Sequence, residues 1–370
     1  MIFLDNNATT AIEEEVVQAM KIDLDGIPRN PSSTTKYGRE GKFLLIKARK
    51  EIAQYFHVDT KEVYFTSGGT ESNVTMIHGF YHRSPGPIIS SPTEHLSILE
   101  TIKKYPVRFL SIDENGVPIL NEEIFACRPS CVVLSYVNNE TGVTIPLQKF
   151  ASLCSKHSIP LLLDGVAALG KIPCPLPQGI AAISFSGHKI HGPKGIGLLI
   201  IRHEYIIPPL LYGGHQEYNM RAGTENLSGI LGMAKAISLI RCETFAHIAA
   251  MRDTFESLLI KRLPTCMING KKYRVSNVSN ISFLGCDAEI LLVKLEQRGV
   301  IASTGSACAA GSQQISHVLL HMGLPMERIH SSIRFSFSHL TTHKEIIQAA
   351  DIVISCVNEN NATLTSIQHI

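Results

Sequence analysis

The chain has 370 residues, of which 44% are hydrophobic and 18% charged, and its formal net charge is +2. This length allows one large domain plus a smaller one, and the small net charge without long Lys or Arg runs argues against nucleic acid or an anionic membrane as a main partner. No apolar run approaches the roughly 18 residues that a membrane span requires.

The cysteine content and the first residues predict a cytoplasmic protein. The N-terminal stretch MIFLDNNATT reaches Asp5 too early for a signal peptide. The nine cysteines are an odd number without a paired framework, so we expect free thiols in a reducing compartment. Cys127 and Cys131 form the closest pair, in CRPSC, but the sequence around them lacks the further ligands that a metal site needs.

Short apolar runs that predict β-strands alternate with helical patterns through residue 260. Helices are expected at 94–105 and 146–157 and over a long stretch from about Leu227 to Leu263. Several strand candidates are apolar on both faces, as in a parallel sheet covered by helices. The strands are expected at 62–66, 86–91, 130–137, 159–165, 181–187 and 195–201. This alternation is typical of the α/β class.

The last third of the chain changes rhythm and predicts a second, α+β domain. A strand candidate at 274–285 is followed by a helix at 287–299, and a strand at 331–337 lies between two further helices. We expect a large domain at 12–245 and a smaller one formed by 1–11 and 246–370. The second domain also contains the segment STGSACAAGS, Ser303 to Ser312, in which Cys308 is surrounded only by small residues.

Ligand sites in such sheets collect at the carboxyl ends of strands. The strand at 62–66 is followed by SGGTES, in which Gly69 and Thr70 open a helical pattern. Free N–H groups there predict an anion cradle, or else a turn in which Thr70 or Ser67 caps the helix. Asp164 ends another apolar strand, and it either caps the next turn or is a buried carboxylate held for a cationic partner.

The segment SFSGHKIHGPKG, residues 184–195, contains two lysines with space around them. Lys189 or Lys194 is a candidate for binding phosphate or for a Schiff base with a carbonyl cofactor, and spacing alone does not decide between them. His188 and His191 lie in the same segment, but no acidic or cysteine ligand accompanies them, so we predict no metal site.

An anion cradle, a strand-end aspartate and a lysine among small residues together indicate pyridoxal phosphate. The phosphate of this cofactor needs the cradle, its aldehyde needs the amine, and its ring nitrogen needs an acid so that the ring accepts electrons from a substrate carbon.

The chain also resembles the pyridoxal-phosphate cysteine desulfurases of the NifS/IscS type, which are fold-type-I members of the class V aminotransferase family. The resemblance rests on nine blocks in the family's order: LDNNATT (4–10), NPSS (30–33), FTSGGTES (65–72), TEH (93–95), VNNETG (137–142), SFSGHKIHGPKGIG (184–197), MRAGTEN (220–226), GSAC (305–308) and SSIRFS (331–336).

The resemblance implies roles for the residues of these blocks. Lys189 would hold the cofactor as a Schiff base and shuttle protons, Asp164 would pair with the ring nitrogen, and His95 would stack over the ring as an acid/base. His95 could instead be a surface residue in a helix cap. Asn139 would contact the ring hydroxyl or the substrate carboxylate side. The phosphate would be bound by Gly69, Thr70, Ser186 and His188. Thr224 would reach the phosphate that a second subunit binds. The last role implies a homodimer.

Arg334 is a candidate substrate ligand on the pattern of its own strand. Ile333, Phe335 and Phe337 alternate with Ser332 and Arg334 in SSIRFSF, so the arginine is expected on a polar, open face. A guanidinium there suits a bidentate grip on an amino-acid carboxylate. The alternative is an exposed ion pair.

The resemblance implies that L-cysteine is converted to L-alanine while a thiolate takes its sulfur as a persulfide. Cys308 is the predicted nucleophile, and the other eight cysteines are expected to be core or inert. The long small-residue segment resembles the branch that hands sulfur to an iron–sulfur scaffold protein.

One position departs from the family pattern. The strand-end acid is followed by Gly-Val-Ala, so Ala167 stands where a glutamine would bond the ring oxygen. The alternatives are another pyridoxal-phosphate enzyme, such as a transaminase or selenocysteine lyase, and a degenerate, non-catalytic assembly partner.

Overall fold

A computed structural model describes residues 1–305 and 315–367 of the chain. In these ranges the twelve strands are β1 (Ile2–Phe3), β2 (Val63–Thr66), β3 (Ile88–Ser90), β4 (Val107–Phe109), β5 (Cys131–Ser135), β6 (Leu161–Asp164), β7 (Ile180–Ser186), β8 (Gly197–Ile201), β9 (Cys266–Asn269), β10 (Val278–Phe283), β11 (Val300–Ile301) and β12 (Ser332–Ser336).

The eleven α-helices of the same ranges are α1 (Glu14–Lys21), α2 (Lys36–Phe56), α3 (Gly69–Arg83), α4 (Leu96–Ile102), α5 (Leu147–Lys156), α6 (Leu227–Ser238), α7 (Glu243–Arg262), α8 (Ala288–Gln297), α9 (His317–His321), α10 (Met326–His330) and α11 (His343–Ile367). None of the described helices is both long enough and apolar enough to cross a bilayer.

Seven strands form the central sheet in the order β2-β8-β7-β6-β5-β3-β4. β8 runs antiparallel to both neighbours, and the other pairings are parallel, which confirms the predicted α/β class with a mostly parallel sheet. Ser135 pairs with Asp164, which pairs in turn with Ser184, so β5, β6 and β7 end at one level. The polar residues that follow these strands therefore share one edge.

Both faces of the central sheet are buried, as the apolar strand runs predicted. Val132 and Leu134 of β5 belong to one buried cluster, while Cys131 and Val133 belong to another. Alternate residues of a strand point to opposite faces, so the helices on the two sides of the sheet pack on separate apolar layers.

A third buried cluster surrounds the antiparallel sheet β12-β10-β9. Phe335 and Phe337 pack there against Phe255 of α7, and Ile2 and Leu4 from the start of the chain join the same cluster. The first and last thirds of the chain thus share a core. The domain boundaries 12–245, 1–11 and 246–370 stay predictions.

The helical stretch expected from Leu227 to Leu263 is two helices, and a continuous helix is therefore wrong. α6 ends at Ser238 and α7 begins at Glu243. Arg241, between them, donates hydrogen bonds to the carbonyl oxygens of Ser238 and Ile240. The guanidinium thus satisfies carbonyl groups that the helix end leaves without intrahelical partners.

Candidate active site

A cavity of about 340 Å³ lies at the common edge where β5, β6 and β7 end. The structure brings nine of the sequence-predicted site residues to its wall: Gly69, Thr70, His95, Asn139, Asp164, Ser186, His188, Lys189 and Arg334. These residues come from six separate parts of the chain, so the packing of the sheet and the second core brings them together.

Asp164 caps the turn after β6, as one alternative predicted, and it is buried, while its pairing with a cationic partner stays a prediction. Its carboxylate accepts hydrogen bonds from the Val166 backbone N–H at 2.9 Å and from the Asn73 side-chain amide at 2.8 Å. The residue is only 6% exposed and lines the cavity. The first contact shapes the turn after β6, and the second, from α3, fixes the carboxylate from the other side.

The N-terminus of α3 faces the same cavity through Gly69 and Thr70. The cap residue is Gly68, and no side chain makes a cap hydrogen bond, so the predicted alternative of capping by Thr70 or Ser67 is wrong. A Cβ on Gly69 would lie 2.7 Å from Cγ2 of Val166. The glycine therefore lets the helix start approach the turn after Asp164 closely, which leaves N–H groups for an anion.

The two candidate lysines occupy different surroundings. Lys189 lies in the short turn after β7, and its Nζ donates to the carbonyl oxygens of Asn7 at 2.6 Å and Ala8 at 2.8 Å. Lys194 is exposed and does not line the cavity. Of the two amines, only that of Lys189 is placed next to Asp164 and the α3 N-terminus.

The two phosphate candidates beside Lys189 are at least partly buried. Ser186 ends β7, and Nδ1 of His188 lies 3.1 Å from Oγ1 of Thr9. Burial, and then the charges of Lys189 and Lys194, lowers the pKa of His188 to about 4. The imidazole is consequently neutral near pH 7 and acts as a hydrogen-bonding group there.

Arg334 does not lie on an open face, and that expectation is wrong. The residue is 3% exposed because β1 and the segment after it cover this side of β12. Its guanidinium donates to Oδ1 of Asp5 at 2.8 Å, to Oγ of Ser303 at 2.9 Å and to the Asn139 carbonyl at 2.9 Å. Nε is buried without a hydrogen-bond partner among the described residues.

His95 is the N-cap of α4, as one alternative predicted, and it lines the cavity, while its role as an acid/base over the cofactor ring stays a prediction. Its Nδ1 accepts a hydrogen bond from the Ser97 backbone N–H at 3.1 Å. This contact sets the ring orientation and leaves any ring proton of the neutral imidazole on Nε2.

Two buried carboxyl groups next to the site were not singled out from the sequence. Glu94 accepts hydrogen bonds from the backbone N–H and hydroxyl of Ser135, and burial raises its pKa to about 8. Glu140 accepts from the Ser316 hydroxyl, and burial also raises its pKa. Both stand inside blocks that follow apolar strands, TEH and VNNETG, and acidic residues at such positions are the signal that would have found them.

The expectation that no acidic ligand accompanies His191 is wrong. Glu13 and His339 lie close enough that one ligand atom of each of the three side chains falls within 4.8 Å of the others. His188 does not belong to this group. Burial, and then the charge of Lys171, lowers the pKa of His191, and a positive charge so close disfavours a bound cation. We assign no metal to the group.

Two predicted residues are not in this cavity. Thr224 is exposed and lines a separate cavity of about 90 Å³. Cys308 lies outside the described residues. The eight other cysteines are free thiols in the part of the chain that the structure describes. Cys131, Cys154, Cys286 and Cys356 are buried as expected, whereas Cys242 is exposed, and its inertness stays a prediction.

Comparison with known proteins agrees with this geometry. A family model described as aminotransferase class-V matches residues 2–348. The chain belongs to the class V aminotransferase family. The cysteine desulfurase of Trichormus azollae is 37% identical, and the alignment covers 98% of this chain and 94% of that protein.

Solved structures give the same class V architecture. A NifS-like protein from Rickettsia africae superposes with a TM-score of 0.86 at 31% identity, covering 98% of this chain and 99% of that one. SspA, solved in complex with cysteine, superposes with a TM-score of 0.81 at 27% identity, covering 92% and 100% of the two chains.

The class V family depends on pyridoxal phosphate, and the wall of the cavity fits this cofactor. The α3 N-terminus offers N–H groups for the phosphate, Asp164 offers a carboxylate for the ring nitrogen, and Lys189 offers an amine for the aldehyde. A Cβ on Gly69 would collide with Val166 and so close the gap between the α3 N-terminus and the turn after Asp164.

Proposed function

We propose that this protein is a pyridoxal-phosphate-dependent cysteine desulfurase. L-cysteine and a protein thiol give L-alanine and a protein persulfide: the substrate C–S bond breaks, an S–S bond forms, and the thiol proton balances the new C–H bond. The observation that carries the proposal is the single cavity that contains Asp164, Lys189, His95 and Arg334. The activities named for the relatives support it.

The cofactor would be held by residues on three sides. When bound, pyridoxal phosphate supplies an aldehyde that condenses with amines and a ring that withdraws electrons from the substrate carbon. The carboxylate of Asp164 keeps a proton on the ring nitrogen by charge, and Asn73 keeps that carboxylate in place. Thr70, Ser186 and His188 line the same cavity and would bind the phosphate.

Lys189 and His95 are the groups that move protons. Lys189 lines the cavity, and its amine donates to the carbonyl oxygens of Asn7 and Ala8. These two acceptors orient the amine. The imidazole of His95 is aimed by the Ser97 backbone through Nδ1, which leaves Nε2 as the exchanging atom. Asn139 lines the same cavity and would contact the ring hydroxyl or the substrate carboxylate side.

Arg334 would bind the carboxylate of L-cysteine. The residue lines the cavity, and its buried Nε makes no hydrogen bond with the described residues, so the guanidinium is not fully satisfied by the protein. Asp5 and Ser303 fix the guanidinium plane from the other side. A buried donor without an acceptor is costly, and the substrate carboxylate removes that cost.

Cys308 would accept the sulfur. Gly305 lines the cavity, and Cys308 follows it by three residues. Three residues of extended chain span about 10 Å, so the Cys308 thiol can reach a cavity that Gly305 lines. The small residues around Cys308 set no steric obstacle to that approach.

The assembly we propose is a cytoplasmic homodimer that passes its sulfur to an iron–sulfur scaffold or another acceptor protein. Thr224 is exposed and outside its own chain's cavity, so its predicted phosphate contact requires a second subunit. Large exposed apolar side chains, including Phe43 and Ile46 of α2 and Tyr212, also favour a protein interface. Light scattering on the holoenzyme tests this: the mass of one 40.6 kDa subunit would contradict it.

The decisive experiment measures alanine and sulfide formed from L-cysteine without added keto acid. Lys189→Ala and Cys308→Ala are expected to lose activity by at least about a hundredfold, because each removes a reacting group. Lys194→Ala and Cys242→Ala are the matched controls, since both side chains are exposed and outside the cavity.

Mass spectrometry supplies the second readout. One additional sulfur is expected on the peptide containing Cys308 after a single turnover, and none on the peptide containing Cys242. Activity that requires a keto acid and survives Cys308→Ala would replace the proposal with transamination. A protein that stays colourless with added cofactor would indicate a non-catalytic partner instead.

A further inference from the structure

A buried lysine that the proposed function does not use lies directly behind Lys189. Lys171 is in the turn that follows β6, and only 5% of the residue is exposed. Its Nζ donates to the backbone carbonyl of Lys189 at 2.7 Å, which is the single hydrogen bond recorded for this ammonium in the described residues. A charged group in the interior with one acceptor is costly, so its presence calls for a reason.

The turn that contains Lys189 is held by a donor at several of its carbonyls. The Thr10 N–H donates to the carbonyl of His188, and the Glu13 N–H donates to that of His191. Lys171 fills the corresponding place at Lys189. The Thr10 hydroxyl donates to the His188 carbonyl as well. Neutral donors thus suffice at the neighbouring positions, so a hydrogen bond alone does not require a cation at Lys189.

Lys171 is itself fixed from both directions. Its N–H donates to the Ala168 carbonyl, and its own carbonyl accepts from the Ser276 hydroxyl at 2.8 Å. The turn therefore cannot swing the ammonium away without breaking a contact with the segment before β10. Asp164 stands at the start of the same turn. One short segment therefore presents the Asp164 carboxylate to the cavity and the Lys171 ammonium to the backbone of Lys189.

The charge of Lys171 acts on its neighbours. Burial, followed by the charge of Lys189, lowers the pKa of Lys171 to about 8. Coulomb repulsion is mutual, so Lys171 also opposes a positive charge on Lys189. A lysine next to another cation keeps more of its amine uncharged and reactive.

Titratable and charged groups surround Lys171 and Lys189 on both sides. On the Lys171 side a cavity of about 140 Å³ is lined by Glu13, His191, Arg241 and His339. Asp164, His95, His188 and Arg334 lie on the Lys189 side. Glu13 is hydrogen-bonded to His339 at 2.6 Å, which engages the carboxylate of the first group with a partner other than Lys171.

We propose that Lys171 is a positioning residue for Lys189: its ammonium fixes the Lys189 carbonyl, and its positive charge favours the uncharged form of the Lys189 amine. This inference rests on the proposed function, in which Lys189 forms the Schiff base with pyridoxal phosphate.

The test is a pH titration of the visible absorption band of the holoenzyme over about pH 6 to 10. Lys171→Met is expected to move the midpoint upward by about 1 pH unit, because removal of a nearby positive charge stabilises the protonated nitrogen at Lys189. Lys171→Arg stays positively charged over the whole range, whereas the lysine loses its proton near pH 8, so this variant is expected to show no upward shift of the midpoint. In Lys171→Met, kcat falls while KM changes by less than about twofold.

Two further variants sharpen the test. Lys171→Gln keeps a donor without charge and carries the test if Lys171→Met does not fold; it is expected to shift the midpoint as well. Lys194→Met removes a nearby but exposed charge and is expected to give a much smaller shift, because solvent and salt screen it.

Three results would overturn the inference. They are an unchanged midpoint in Lys171→Met or Lys171→Gln, an equal shift in Lys171→Arg, and an equal shift in Lys194→Met. The failure of the proposed function is distinct: the wild type would then show no visible band, and borohydride would trap no cofactor on the Lys189 peptide. That result would remove the basis of this inference too.

Discussion

Ala167 lines the cavity wall and directly follows Val166, the residue that packs against Gly69 at the start of α3. The NifS/IscS-like pattern has a glutamine at this position, and its amide would bond the ring oxygen of the cofactor. Two neighbouring groups orient the Asp164 carboxylate, and both are present: the Asn73 side-chain amide and the Val166 N–H. The missing group is therefore one neutral hydrogen bond in an otherwise supported site.

Ala167→Gln is expected to strengthen cofactor binding by up to about tenfold, because one neutral hydrogen bond contributes roughly 0.5–1.5 kcal/mol. The wild type is correspondingly expected to be active despite the alanine. Absorption titration of the apoprotein with pyridoxal phosphate gives the dissociation constant. Ala167→Met is the control of similar size without an amide, and equal affinities of the two variants would mean that filled space rather than the hydrogen bond decides.

At the scale of elements, the site depends on how closely the start of α3 approaches the turn after β6. Two consecutive glycines stand at this helix start, but only one of them is sterically required. A Cβ on Gly69 would meet Val166, whereas a Cβ on Gly68 would meet nothing within 4 Å. Gly68 has a φ of 164°, which is extended backbone open to other residues.

Gly69→Ala is therefore expected to weaken pyridoxal phosphate binding by about tenfold or more, since Val166 is β-branched and cannot rotate away freely. Gly68→Ala is the matched control and is expected to bind the cofactor as the wild type does. Titration of both apoproteins measures the effect. Equal affinities would show that the contact of helix and turn does not shape the phosphate site.

At the scale of the whole molecule, the site combines residues that follow the central sheet with residues attached to the core of the antiparallel sheet. The N-terminal segment places Leu4 in the core of the antiparallel sheet and then supplies the Asn7 and Ala8 carbonyls to Lys189. Arg334 comes from the same core and reaches the cavity past Asp5. A change in how the cores pack would thus move the substrate side relative to the cofactor side.

Glu94, buried beside this junction, links the stability of the fold to pH. Its pKa is raised from 4.5 to about 8, so the neutral form is favoured in the folded state. The stabilisation from this proton is fully present below about pH 4.5 and is lost as the pH rises through about 8. Within that window one such group contributes a slope of about 1.4 kcal/mol per pH unit.

Glu94→Gln removes this titration while keeping an oxygen acceptor for Ser135. The variant is therefore expected to lose less unfolding free energy than the wild type between about pH 5 and 8. Urea unfolding at several pH values measures the difference. Glu114→Gln, at an exposed position, is the control and should follow the wild type. Parallel pH profiles for wild type and Glu94→Gln would contradict the assignment.

The sequence by itself determined the α/β class and most of the central strands, and it predicted nine of the residues that line the cavity. Those features depend on local patterns: apolar runs make buried strands, and polar residues after parallel strands meet at one edge. The short edge strand β4 was missed because it carries the exposed Arg108 and Phe109 and has no apolar run.

Only the tertiary structure decided the contacts that join distant segments. Arg334 is buried against Asp5, His191 lies with Glu13 and His339, and Lys171 holds the carbonyl of Lys189. Periodicity tells which face of an element is apolar, but not which other element covers the polar face. That choice follows from how the central sheet and the second core pack, because packing alone sets distances between residues far apart in the chain.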